Sequence, residues 1–234
     1  MSCLVSVDVH VHTAASYDAE ARVDTVLAHA VDAGLDAVAI TDHDTMCGAR
    51  RALERARVHD IVVVPGVEVS TADGHLLALG VSDCPKPGRP LSATVATVHE
   101  QGGAAVVPHP FQRSRHGVSR SAVGDCDGIE VFNAMSMTGV QNRRARAFAD
   151  REGYPALGGS DAHTPEMVGR AVTHVELATD TEPLTADTVV SAIRAGRTDY
   201  AGRRAPVGHY VKKHLYNARL RTVAGLTAIA GPTR

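Results

Sequence analysis

Short apolar runs that finish on metal-binding side chains recur along this chain, and they restrict its fold more than any other feature. LVSVDVHVH supplies His10 and His12, AVAITDHDT supplies His43, VVVPGVEVS supplies Glu68, AAVVPHP supplies His109, and PALGGSDAH supplies Asp161 and His163. GHLLALGV instead begins on its ligand, His75. Six of the thirteen histidines therefore stand at run ends. Gathering such groups costs heavily in desolvation and repulsion unless a cation compensates them, which points to a multinuclear metal site. His10 and His12 are two apart in an extended run, so both side chains point to one side and can grip one cation. A lone histidine would read as a hydrogen-bonded core residue; joint occurrence at run ends argues against that for the set.

Strands are predicted near residues 4–9, 36–41, 61–69, 75–81, 104–108, 128–132 and 156–159. Between them, 20–34, 46–57, 91–102 and 139–152 carry apolar residues at helical spacing, with Gly34, Gly103 and Gly153 at the expected stops. The alternation predicts a mainly parallel α/β sheet with a barrel-like rhythm. No helix fits between the runs of 61–81, so that pair is expected to form a hairpin-like irregularity. Residues 83–90 and 111–127, rich in Pro, Gly, Ser or Arg, are the expected long loops. In a parallel barrel the strand ends share one face, so ligands far apart in sequence converge there.

A chain of 234 residues with 44% hydrophobic content can bury one large core. We expect a barrel domain at 1–198 and a basic and apolar extension at 199–234 packed on it. A net charge of -2 gives no global attraction to nucleic acid or to an anionic membrane, although 21 of the 24 basic residues are Arg. The four cysteines have no CxxC spacing, and no signal peptide or membrane span is visible, so a reducing cytoplasm is the expected location.

DVHVHT, the SYD at 16–18, ITDHDT, PGVEVS, HLLALG, VPHP, GIEVFN and GGSDAH, in this order over roughly residues 5–176, resemble the polymerase and histidinol phosphatase (PHP) superfamily of metal-dependent phosphoesterases. ITDHDT followed by Gly48 is most similar to the small stand-alone branch that includes nucleotide phosphatases. The resemblance implies a distorted (β/α)7 TIM-like barrel of the PHP type with three divalent metals. One would take His10, His12, Glu68 and Asp161; a second would share Glu68 and add His75 and His109; a third would take Asp18, His43 and His163. Glu68, Asp161 and His163 are the implied catalytic residues. Asp8, Asp42, Asp44 and Asn133 flank these ligands and either orient imidazoles or serve structural and solvated roles. Six imidazoles against three carboxylates disfavour Mg or Ca and suit Zn, Mn or Fe. His29, His59, His99, His174, His209 and His214 read as structural or exposed.

Three divalent ions facing three carboxylates and a bridging hydroxide retain positive charge, which a phosphomonoester dianion neutralises. Metals about 3.5 to 4 Å apart hold a hydroxide and clamp attacking and leaving oxygens. Arg113 and Arg115 are candidates for binding phosphate oxygens and His116 for protonating the leaving group, against the reading that this is a solvated basic loop; Arg170 is a weaker candidate. The expected partner is a small phosphorylated substrate, with nucleotides or short oligonucleotides leading and histidinol phosphate next. A phosphodiesterase or exonuclease uses the same metals. An amidohydrolase is disfavoured because no lysine falls at a strand end to bridge metals, and a non-catalytic scaffold because none of the nine ligands is missing.

Overall fold

The computed structural model describes residues 3–178 and 183–206. Seven strands follow the apolar runs: β1 (Leu4–Val11), β2 (Ala37–Ile40), β3 (Val62–Thr71), β4 (Gly74–Leu79), β5 (Ala104–Val107), β6 (Gly128–Asn133) and β7 (Ala156–Gly159). The expected helices are α1 (Val23–Asp32), α2 (Cys47–His59), α3 (Leu91–Glu100) and α4 (Val140–Glu152). Left-handed Gly34 and Gly153 lie at the ends of α1 and α4, whereas after α3 the left-handed residue is Gly102, one before the expected Gly103. Two further strands, β8 (Ala171–Glu176) and β9 (Thr198–Gly202), and a fifth helix, α5 (Ala186–Arg194), complete the fold. Among the described residues no helix is long and apolar enough to cross a membrane.

The sheet order is β7-β6-β5-β4-β3-β2-β1-β8-β9. Strands β1, β2 and β3 run parallel, as do β5, β6 and β7, while β4 is antiparallel to both neighbours. The reversal explains the one run that starts on its ligand. The first residues of β4 lie at the face where the other strands end, so His75 must come early to reach it. The β3–β4 pair is the predicted hairpin.

At the ligand face, β7 returns to β1 through Ala162. It bridges Val11, accepts the His12 N–H at 2.9 Å and donates to His10 O at 3.3 Å. Lower down, β8 pairs antiparallel with β1 and Thr173 bonds Gly158 of β7, so an inserted strand spreads the seam. The result is a mixed α/β fold with a nearly closed, distorted barrel.

Two apolar cores follow from alternation along the strands. Inside, Val5, Val7, Val9, Leu77, Leu79, Val106 and Leu157 meet Val189 and Ile193 of α5. Because Val5, Val7, Ala37 and Ala104 of this core lie at the starts of parallel strands and Leu79 at the end of reversed β4, α5 plugs the barrel opposite the ligands. Outward-facing Val38, Ile40, Val63, Ile129 and Val131 pack in a second core with Leu27, Ala49, Val95 and Phe148 from the outer helices. β9 continues the sheet past position 198, and Ala205 N–H donates to Ala134 O at 2.8 Å. The rest of the expected extension, with His209 and His214, lies outside the described residues.

Candidate metal centre

Two bulges aim the central side chains. Between Asp8 and Val11, β1 has one residue more than β2. Val9 therefore faces the interior core, Val11 the outer one, and His10 and His12 both point into the barrel mouth. In β6 the register shifts between Glu130 and Phe132. Val131 and Phe132 both join the outer core, which leaves Glu130 and Asn133, three apart, facing the same site. His109 and Asp161 have positive φ, at 30° and 53°, where the chain turns sharply beyond β5 and β7.

All nine predicted ligands converge. Their donor atoms fall into four overlapping groups: His12, Asp18, His43 and His163; His10, His12 and Asp161; His10, Glu68 and His109; and His43, Glu68 and His75. Within each, the donors lie within 4.8 Å of one another. Glu68 is the hub. Its Oε1 accepts from His75 Nδ1 at 2.7 Å and His109 Nε2 at 3.0 Å, while Oε2 lies 3.1 Å from His10 Nε2 and 3.2 Å from His12 Nε2. Asp18 reaches the far side, with Oδ2 at 2.8 Å from His163 Nε2 and 3.7 Å from His43 Nε2. The resemblance placed His12 with Glu68 and Asp161; here its ring also lies between His43 and His163, with centroids 4.7 and 4.4 Å away.

The donor chemistry fits divalent cations. His12 Nε2, His43 Nδ1 and His109 Nδ1 are buried without a well-formed hydrogen bond, which is expensive unless another group takes their lone pairs or protons. Burial pushes His12 well below its usual pKa, with His163 adding to this, and burial followed by Arg115 takes His109 down to about 3. Both are therefore neutral imidazoles with a lone pair to give. For Glu68, burial opposes ionisation, but His10, His43 and His75 outweigh it and hold the carboxyl well below its usual range. For Asp18 too, burial opposes ionisation, but its bonds to His163 and His43 outweigh it and hold the carboxyl well below its usual range.

Glu130 was not singled out in the sequence. Fully buried, it accepts from His10 Nδ1 at 3.0 Å, from the His109 N–H at 2.7 Å and from Asn133 Nδ2 at 2.8 Å. Gly159, the second glycine of GGSDAH, makes this approach possible. A Cβ there would overlap Glu130 Oε1 and come within 2.7 Å of the His10 Cβ. The signal available in sequence was a lone acid inside an apolar strand.

Asp8, Asp42 and Asp44 contact no imidazole nitrogen. Asp8 accepts from the N–H groups of Ser160, Gly169 and His10; Asp42 from Thr13; Asp44 from Ser70. They fix the backbone around the cluster. Asn133 does join it, donating to Asp161 at 3.0 Å. Arg115 also enters, donating to Asn133 Oδ1 at 3.1 Å and to Asp161 Oδ2. His116 stands just outside, stacked on His75 with centroids 5.2 Å apart. Arg113 lines a neighbouring groove, and Arg170 is engaged by the Arg204 carbonyl at 3.2 Å. His29, His59, His99 and His174 bond Thr25, Asp24, Asp127 and Ser6 away from the cluster.

Fold and site together define a distorted α/β barrel with a cluster of His, Asp and Glu donors at its mouth that could hold metal. The PHP-associated family matches residues 139–198. An uncharacterized protein of Methanocaldococcus jannaschii is 30% identical over 149 residues, 59% of this chain and 87% of that protein. A phosphoribosyl 1,2-cyclic phosphate 1,2-diphosphodiesterase of Eggerthella lenta is 37% identical over 82 residues, which span 32% of this chain but only 31% of that enzyme. Among solved structures, a two-domain Bacteroides vulgatus protein containing a PHP-like metal-dependent phosphoesterase superposes with a TM-score of 0.72 at 20% identity, covering 86% of this chain and 66% of that one. PsfC from Pseudomonas syringae gives 0.71 at 23% identity over 93% and 99%. The chain belongs to the PHP superfamily.

Proposed function

We propose that this protein is a metal-dependent phosphoesterase that hydrolyses a phosphomonoester, with nucleotides or short oligonucleotides as the leading substrates. The convergence of nine donor residues on one barrel mouth, with one ring nitrogen each of His12, His43 and His109 buried without a well-formed hydrogen bond, supports the reading most strongly. His10, His12, Glu68 and Asp161 would hold one cation, Glu68, His75 and His109 a second, and Asp18, His43 and His163 a third. Zn, Mn or Fe suits this imidazole-rich set. When bound, such cations supply Lewis acidity toward phosphoryl oxygens and acidify water near neutral pH.

The chain's own groups do the rest. Glu68 spreads one carboxylate over both sides of the cluster and fixes its spacing. Glu130 holds His10 through Nδ1, so that Nε2 faces inward. Arg115 offers a planar guanidinium beside Asp161 for the non-transferred phosphate oxygens. His116, at the rim, is the candidate for delivering a proton to the leaving oxygen.

A phosphodiesterase is the second reading, supported by the partial likeness to the Eggerthella enzyme. Phosphate release by the purified protein with Mn, Zn or Fe should be screened over nucleoside phosphates, sugar phosphates, histidinol phosphate, cyclic phosphates and short RNA. Release from a monoester is expected. Cleavage restricted to diesters would replace the first reading with the second.

A further inference from the structure

Tyr17 stands apart from the other large apolar side chains. At 72% exposure it is the most open of them among the described residues, and the one aromatic ring in that exposed group. Tyr154 and Tyr200 are tyrosines that pack: their rings stack on Phe148 and Phe132, and their hydroxyls meet Gly124 O and the Arg146 guanidinium. The Tyr17 hydroxyl has no hydrogen-bond partner among the described residues. One face of its ring lies on His43, with centroids 4.9 Å apart and planes at 22°. A ring left this open forgoes most of the apolar burial it could contribute to the fold, so packing does not account for its place beside the cluster.

The ring is held in position. It stands between Ser16 and Asp18, both of which turn inward: Ser16 Oγ accepts the His43 N–H at 3.3 Å and donates to Asp18 Oδ1 at 3.1 Å, and Asp18 Oδ2 lies 2.8 Å from His163 Nε2. Ala14 N–H donates to Ala21 O at 2.7 Å and closes the base of this loop. On the inner side, the His43 ring is followed by that of His12, 4.7 Å away. Tyr17 is thus the outermost ring of a stack that begins inside the cluster, with its second face turned to solvent. Burial of the inner face, then the charges of Asp18 and Glu68, push its hydroxyl up to about 12. The ring is therefore neutral and adds no repulsion toward a phosphate at the cluster.

We propose that Tyr17 is a specificity-determining residue, a shelf on which a planar aromatic group of the leaving alcohol stacks while its phosphate is held at the cluster. The proposal rests on the phosphoesterase reading for the reaction, but the stacking itself needs no turnover. Offset stacked rings attract one another beyond their area burial, and stacking accepts any base because each has a π-face. A ring already fixed on His43 also loses little freedom when a second ring arrives. The aromatic group can be a nucleobase or the ring of an aryl phosphate.

Non-hydrolysable probes in matched pairs test this by titration calorimetry on the protein supplied with Mn, Zn or Fe. One pair is benzylphosphonate and cyclohexylmethylphosphonate; the other is the 5′-methylenephosphonate analogue of AMP and that of ribose 5-phosphate. Each pair is read as a ratio of affinities within one variant, so that a general change in phosphonate binding cancels. In the wild type the aromatic member of at least one pair should bind about three- to ten-fold tighter than its partner. Tyr17→Phe should keep that ratio. Tyr17→Ala should lower it by about that factor, and so should Tyr17→Leu, which keeps bulk against His43 without a π-face. A ratio that the Ala and Leu variants leave unchanged, a ratio lost in Tyr17→Phe, or no aromatic preference in the wild type overturns the proposal. The pair that responds identifies the source, an aryl ring for the first and a nucleobase for the second. A Tyr17-dependent preference in a protein that hydrolyses no phosphoester would uphold the shelf and refute the phosphoesterase reading.

Discussion

Glu130 holds His10 by the nitrogen that faces away from the cluster: its Oε1 accepts from Nδ1 at 3.0 Å, while Nε2 lies 3.1 Å from Glu68. The contact fixes both tautomer and ring orientation, and the same carboxylate anchors the His109 backbone. Loss of an acceptor behind a ligating imidazole typically costs about 10- to 100-fold in metal affinity or activity. Glu130→Gln is therefore expected to fold, to bind metal more weakly by that factor, and to lose activity that excess metal partly restores. Wild-type metal affinity in this variant would deny Glu130 its positioning role.

Glu68→Gln should do more. The carboxylate faces His10, His12, His75 and His109 at once, so a neutral amide cannot replace it. Turnover should fall to background with the fold intact by circular dichroism, and metal content should drop. Unimpaired turnover with full metal would remove Glu68 from the centre of the account.

Protons and cations compete for His10 Nε2. Burial pushes this imidazole down, but the Glu68 and Glu130 carboxylates outweigh it and raise its pKa to about 9. Below that pH a cation must displace the proton, so metal uptake near neutrality releases protons and apparent affinity rises with pH. His109, already at about 3, contributes no release. Calorimetric titrations in buffers of different ionisation enthalpy measure this directly, and uptake without proton release would contradict it.

Much of the site was legible because ligands sit where apolar runs stop, a position that the barrel topology turns into proximity. His75 was legible as well, since the run it opens is too close to its predecessor to be anything but a reversed strand. Glu130 was not, because the bulge that turns it and Asn133 to one face leaves no trace in composition. Nor were β9, whose TDYAG has little apolar character, and α5, a nine-residue helix started by a Thr185–Thr188 capping box. Arg113 and Arg115 looked equivalent, and only the course of the loop separates the one in the groove from the one on Asp161.

Gly159→Ala tests the close approach of β7 to the site. The added methyl would meet the Glu130 carboxylate and the His10 Cβ, and overpacking of this kind typically costs about 1–3 kcal/mol. Melting temperature and metal affinity should both fall. If both stay at wild-type values, β7 has room that this geometry denies.

Ile193→Ala separates stability from chemistry. Ile193 is fully buried in the barrel interior, opposite the ligands. Truncation should cost about 2–5 kcal/mol in unfolding free energy while leaving metal content unchanged well below the melting temperature. Metal loss without destabilisation would mean that α5 is coupled to the site in a way that the two separate cores do not suggest.

The most direct test is to strip the protein with chelator, reconstitute it with Mn, Zn, Fe or Mg in separate samples, and measure bound metal and phosphate release on each. The account predicts more than one tightly held transition-metal ion per chain, activity absent from the stripped protein, and better rescue by Mn, Zn or Fe than by Mg. Phosphate release unaffected by stripping, or a chain that retains no transition metal at saturating supply, would contradict it.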